Sequence, residues 1–252
     1  MSHRPVYVAS DIHLGAVPAG TERRFVEFLD HVAANASRLI VNGDLFDFWF
    51  EYGEVIPGRH FRTLAGLARV VEAGVPVTLV GGNHDAWGGR FLREEVGIEL
   101  IEGVWRTELA GAPSLVAHGD GLGSGDLRYR MLKATIRSRV AIAAFRVLHP
   151  ELGIRFARSV SSTETKGHSE DAAQGRARFL REWARERLRA DTALRYVVCG
   201  HAHVPEAIEI EPGRFYLNAG DWIRHASYLT IDAAGARLRA WASPASQESE
   251  RP

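Results

Sequence analysis

Three short apolar runs, VYVAS (Val6–Ser10), LIVNG (Leu39–Gly43) and VTLVGG (Val77–Gly82), are separated by stretches of helical periodicity. This alternation constrains the fold more than any other feature of the chain. Between the first two runs, Phe25, Phe28, Leu29 and Val32 recur at helical spacing within Thr21–Asn35, and a second helix is expected from about His60 to Glu72. Apolar strands separated by helices predict βαβ units and a sheet buried on both faces, hence an α/β fold. After Gly97 the helical patterns stop, and GIELI, VWRTELA and SLVAHGD read as antiparallel strands. The C-terminal part reads the same way in RYVVCGHAH, EAIEIEPGRFYLNAGDW, SYLTID and RLRAWA, before a polar tail expected to be disordered over 244–252.

The stretch 127–166 breaks this pattern. It reads as two or three helices anchored by Leu127, Met131, Leu132, Ile136, Val140, Phe145, Leu148, Ile154 and Phe156. Interleaved with these are Arg128, Arg130, Lys133, Arg137, Arg139, Arg146, Arg155 and Arg158, with Glu151 the only acid between Asp126 and Arg158. Two readings fit: a solvated charged face over a helical core, or a lid that attracts an anionic, partly apolar ligand or an anionic membrane surface. Its position directly after the polar AHGD favours the lid. The core is then expected over 1–126 and 167–243. Arg176, Arg178, Arg181, Arg185, Arg187 and Arg189 fall on a further helix with Glu182 and Glu186, where a solvated, ion-paired face is the default.

Lys+Arg and Asp+Glu balance at 31 each, so net charge points to no class of partner. The single cysteine, Cys199, excludes an internal disulfide framework and a thiolate zinc site, and its place in YVVC predicts core packing. The N-terminus enters a strand at once, and no apolar stretch has the length of a membrane span. A cytoplasmic protein is expected, at most peripheral on the inner face of a membrane.

Five apolar runs end in polar clusters: Asp11 and His13; Asp44; Asn83, His84 and Asp85; His118; and His201 and His203. Strand ends in an α/β sheet converge on one edge, where ligands bind. Imidazoles and carboxylates suit Mn, Fe, Zn or Ni. In DIH and HAH, residues two apart would point to one side of a strand, so each pair could grip one ion. With Asp44, Asn83 and His118 these pairs make seven donors, too many for one tetrahedral ion and suited to two divalent ions sharing a carboxylate. Such a pair favours in-line displacement at phosphorus. A single polar residue at a strand end is ordinarily a cap, but five in succession are not.

In this order, DIH, GDLFD, GNHD, HGD and GHAH resemble the calcineurin-like metallophosphoesterases. The resemblance implies two mixed β-sheets in a sandwich flanked by helices, here with a helical cap insertion. It implies one ion on Asp11, His13, Asp44 and His203 and another on Asp44, Asn83, His118 and His201, with Asp44 bridging and Mn2+ the expected metal. It implies that His84 is no ligand but reaches the phosphoryl oxygens and the leaving group, oriented by Asp85 behind it.

A narrower resemblance, carried by GDLFDFWFEYG, GNHDAW, HGDGLGSGD and LNAGDW, is to the UDP-2,3-diacylglucosamine hydrolases of lipid A synthesis. It implies cleavage of a nucleotide-linked diacyl sugar under an acyl-covering cap, with no nucleic acid and no obligate protein partner. Substrate contacts are implied at Asp126 and at Ser161, Ser162 and Lys166. One position departs: the best-known members of that group carry Arg where this chain has His84. The rival readings are the same metal core with another phosphoester substrate, and a non-catalytic scaffold; the second is disfavoured because no ligand position is lost. Phe48, Trp49, Phe50 and Trp222 are expected to pack rather than stack on a ligand, and Asp47 to hydrogen-bond within the site loop.

Overall fold

The computed structural model describes residues 4–52, 54–85, 89–123, 131, 135, 138–153, 155 and 170–242. The expected tail and most of the insertion lie outside these residues. The first sheet has the strand order β11 (Gly235–Ala240), β10 (Ser227–Asp232), β1 (Val6–Ala9), β2 (Arg38–Asn42), β3 (Val77–Val80), β4 (Glu99–Ile101). The second has the order β5 (Trp105–Leu109), β6 (Ala112–Val116), β7 (Tyr196–Cys199), β9 (Arg214–Asn218), β8 (Glu206–Glu211). Both sheets are mixed.

Helices α1 (Ala19–Asn35) and α2 (Phe61–Glu72) are the crossovers that make β1, β2 and β3 parallel. The expected helices are therefore present, the second led in by a 3-10 turn at Gly58–His60. Alternation along β1 divides the core. Tyr7 and Ala9 face α1 and α2, packing with Phe25, Phe28, Leu29, Leu64 and Leu67. Val6 and Val8 face the second sheet, packing with Val116, Val198 and Leu217. Helix α4 (Glu170–Ala190) covers the far side of the second sheet through Ala177, Leu180, Ala184 and Leu188, against Val197, Cys199 and Tyr216. The layers run helix, sheet, sheet, helix. Cys199 is fully buried and burial pushes its thiol pKa up, as core packing predicts.

Two expectations for the later strands are corrected. Strand β4 does not open an antiparallel unit but adds to β3 in parallel, Leu79 opposite Leu100. Strand β7 is likewise parallel to β6 and β9, while β5–β6, β8–β9 and β10–β11 are antiparallel as expected. The reason is connection length: parallel pairing needs a long crossover, and the chain between β6 and β7 carries the insertion and the whole of α4.

Within the insertion, α3 (Arg139–Val147) is capped by Ser138, whose side chain accepts a hydrogen bond from the Ala141 amide at 3.2 Å. Of the expected apolar anchors that are described, only Phe145 is buried; Met131, Val140 and Leu148 are exposed. Leu127, Leu132, Ile136, Ile154 and Phe156 lie outside the described residues. Phe145 seats against Phe50, 4.6 Å between ring centres, and also against Phe48 and Tyr52. Trp49 is core, stacked on Phe46. Trp222 packs between Phe25 and Phe28. The aromatic run thus joins the insertion to the core, as packing residues should. No helix among the described residues is long and apolar enough to cross a membrane.

Candidate dinuclear metal centre

Five of the seven expected donors have left-handed backbone: Asp11 (φ 54°), His13 (φ 50°), Asp44 (φ 53°), His201 (φ 62°) and His203 (φ 60°). Residues with a Cβ rarely adopt this conformation, at a cost of about 1–3 kcal/mol each, and such residues gather where function over-determines the chain. Expecting strand alternation within DIH and HAH was therefore wrong in its mechanism. These residues lie beyond the strand ends, in turns laced together by main-chain bonds. Asp11 N donates to Gly43 O, Ile12 N and His13 N to Asp44 O, Gly200 N to His118 O, and Trp222 N to Asp11 O. The HAH pair does not stay together, and the grouping follows the ligand sets that the resemblance implies. Asp11 and His13 stay together and are joined by His203, whereas His201 goes to Asp44 and His118; each group has its ligand atoms within 4.8 Å of one another.

Asp44 sits between the two groups. Its Oδ2 lies 3.7 Å from His13 Nε2 on one side and 3.2 Å from His118 Nε2 on the other. Its Oδ1 accepts from the His84 amide at 3.0 Å. Asp11 Oδ1 lies 3.4 Å from His203 Nε2, and both Asp11 oxygens accept from the His201 amide. Gly82 allows this approach, because a Cβ there would stand 2.2 Å from Asp44 Oδ1.

Each imidazole is turned by a fixed partner. A carbonyl can only accept, so His118 Nδ1 donates to Asn42 O at 2.8 Å, which turns Nε2 toward the Asp44 carboxylate. His203 Nδ1 faces Asp221 Oδ2 at 3.5 Å, which aims Nε2 at Asp11. His13 Nε2, His118 Nε2 and Asn83 Oδ1 are buried and have no hydrogen-bond partner. Buried imidazole nitrogens, an amide oxygen and two carboxylates converge there with part of their bonding capacity unused, a set that fits a pair of divalent ions.

Burial holds His13 and His201 down to about 3, so both rings are neutral and able to ligate at ordinary pH. Burial opposes protonation of His118 and His203 too, but the Asp44 charge raises the first and the Asp11 and Asp221 carboxylates raise the second. Burial raises Asp11; in Asp44 burial is outweighed by His118, His84 and His13, which hold it well below the usual carboxylate range.

His84 stands at the edge of this centre, its ring 4.8 Å from that of His13. It also falls within 4.8 Å of the ligand atoms of His13 and Asp44, so distance alone does not separate it from the ligands. Its Nδ1 donates to Asp47 O at 2.7 Å, with Asp47 Oδ1 at 3.8 Å. The expected orienting role of Asp85 is corrected here. The Asp85 carboxylate accepts from the Leu45 and Phe46 amides, and burial, with Asp44 nearby, raises it to about 6. Asp85 pins the loop after β2, and Asp47 turns the His84 ring.

The calcineurin-like phosphoesterase profile matches residues 4–205. The chain belongs to the calcineurin-like phosphoesterase family. As a member it is a metal-dependent hydrolase. This phosphoesterase is similar to a UDP-2,3-diacylglucosamine hydrolase of Porphyromonas gingivalis, 29% identical with 90% of this chain and 94% of the relative covered. It is similar to one of Xanthomonas axonopodis pv. citri at 31% identity, covering 91% and 96%, and to one of Actinobacillus succinogenes at 27%, covering 94% and 99%.

Two residues of the phosphoesterase's site were missed in the sequence. Asp221 follows β9 as Asp44 follows β2, each after a glycine, so NAGDW carried the same strand-end signal. Asn42, whose carbonyl sets His118, carried no signal, because a main-chain acceptor is independent of residue type. Asp126, Ser161, Ser162 and Lys166 lie outside the described residues.

Proposed function

We propose that this phosphoesterase hydrolyses the diphosphate of UDP-2,3-diacylglucosamine, giving UMP and 2,3-diacylglucosamine 1-phosphate. The observation that carries this reading is that relatives spanning nine-tenths of the chain at 27–31% identity bear that activity in their names. The exposed apolar residues of the insertion are consistent with it. Val140, Val147, Leu148 and Leu152 are all exposed on an element tied to the core through Phe145. Acyl chains covering them would contribute ~0.8 kcal/mol per buried CH₂. Arg146 and Arg155 accompany them, and basic residues near an anionic leaflet contribute ~1 kcal/mol each. A position at the inner-leaflet surface follows from this reading.

In the proposed centre, Asp11, His13, His203 and Asp44 would hold one divalent ion, and Asp44, Asn83, His118 and His201 the other, Mn2+ being suited to this donor set. Bound there, such ions supply Lewis acidity and lower the pKa of water. The chain's own part is orientation and proton transfer. Asn42 and Asp221 fix two imidazoles, and Asp44 spans both groups. His84, with Nδ1 committed to the Asp47 carbonyl, turns Nε2 outward as the group that would pass a proton to the departing phosphate oxygen. Purified protein with Mn2+ would be offered UDP-2,3-diacylglucosamine, a phosphoprotein, single-stranded DNA and a cyclic nucleotide. UMP release from the first alone is expected; turnover of any other substrate at a comparable rate overturns the assignment.

A further inference from the structure

Helix α4 carries one arginine unlike the others. Arg181 pairs with Glu206, Arg185 with Glu182 and Arg187 with Glu186. Arg176 has no carboxylate partner among the described residues, and its Nε and Nη2 are buried with nothing to donate to. Those two nitrogens share one edge of the guanidinium, the edge that Arg69 uses to grip Asp30 Oδ1 at 3.3 and 2.8 Å. An entire bidentate edge is therefore withdrawn from water and unmatched, which is costly for a cation.

The stripe on which Arg176 lies runs along the metal centre. One turn after it, Leu180 and His201 flank Gly119; a Cβ on that glycine would stand 3.1 Å from Leu180 Cδ1 and from His201 Cβ. One turn before it, Ala173 lines a cavity of about 270 Å³ that reaches His203 and Asp221. Arg176 stands between these two points, on the same face of a rigid helix. Its charge is felt at the centre: Asp11 favours its protonated form against burial, and it in turn disfavours protonation of His201. A planar fork of donors matches a phosphate oxygen pair, and an oxyanion there would satisfy both buried nitrogens.

We propose that Arg176 clamps the second phosphate of the substrate, the one not held at the aspartate–histidine centre, and thereby sets the preference for a diphosphate over a single phosphoester. The inference rests on the diphosphate reading above. Arg176 is a specificity residue here, and its removal leaves the aspartate–histidine centre intact.

Arg176→Gln and Arg176→Lys would be compared with the parent protein at saturating Mn2+. Four readouts are taken: metal content, hydrolysis of bis(p-nitrophenyl) phosphate, inhibition of that hydrolysis by UDP and by UMP, and UMP release from UDP-2,3-diacylglucosamine. Arg176→Gln is expected to keep its metal and its action on the single-phosphorus ester. It should lose ~30-fold or more in kcat/KM on the diphosphate, the usual scale for truncating one partner of a buried charged pair. UDP inhibition should weaken to a similar degree while UMP inhibition holds, and Arg176→Lys, with the charge but not the fork, should fall between. Equal losses on both esters, equal weakening of UDP and UMP, or a fall in metal content overturns the proposal. If the parent protein releases no UMP from the lipid substrate, the substrate reading fails, while the UDP–UMP comparison still decides the role of Arg176.

Discussion

Gly43 ties the backbone of the site to one of its imidazoles, which makes Gly43→Ala a severe test of the geometry. Its φ is +85°, and a Cβ there would stand 2.1 Å from His118 Nδ1 and 2.5 Å from His118 Cγ. The left-handed backbone alone costs an L-residue ~1–2 kcal/mol. Moving the ring breaks the 2.8 Å bond from Nδ1 to Asn42 O. That strands a buried donor, at ~1–3 kcal/mol. The combined loss of ~2–5 kcal/mol is a large part of the stability of a domain. A displaced His118 also loses the orientation of Nε2, which typically costs ~10–100-fold in metal affinity. Gly74→Ala provides the control: its φ is +79°, but nothing lies within 4 Å of the added Cβ. The assays are denaturant unfolding and elemental analysis at matched metal concentration. Gly74→Ala should show the backbone cost with full metal content, and Gly43→Ala a larger loss with metal released. Equal stabilities and equal metal contents in the two variants would refute the reasoning.

Three further outcomes are expected. His84→Ala should retain its metal while kcat falls ~10²–10⁴-fold, the range for a lost proton donor; a drop in metal content by elemental analysis would make His84 a ligand instead. Asp221→Asn should weaken metal binding ~10–100-fold by freeing the His203 ring, read by titration with a chelator; unchanged affinity would show that Asp221 does not set that ring. Deleting 127–166 should spare hydrolysis of bis(p-nitrophenyl) phosphate and abolish action on the lipid substrate, and parallel loss of both would count against a lid.

Much of the centre was legible because its residues are chemically unusual where they stand. His13, Asp44, Asn83, His118 and His203 interrupt apolar runs at strand ends, and only ligand chemistry explains five such interruptions in succession. The layer order was partly legible too, since β1, β2 and β3 read as strands buried on both faces. The directions of β4 and β7 were not. Pairing direction depends on where the connection returns the chain, and the apolar content of Glu99–Ile101 and Tyr196–Cys199 is the same either way.

The sequence by itself named the candidate donors, their chemistry and the strand ends at which they stand, because residue type and strand-end position are local properties. Only the tertiary structure decided who stands beside whom. It separated His201 from His203, which the spacing of HAH pairs and the family resemblance divides, with left-handed backbone at both residues. It moved Asp85 away from His84 and put Asp47 there, because two main-chain amides of the β2 loop claim the Asp85 carboxylate. It set Arg176 apart from five neighbouring arginines that composition cannot distinguish from it, because only its donor edge is turned inward and left unmatched. Burial and the direction of a lone pair are properties of the assembled neighbourhood, and no single segment carries them.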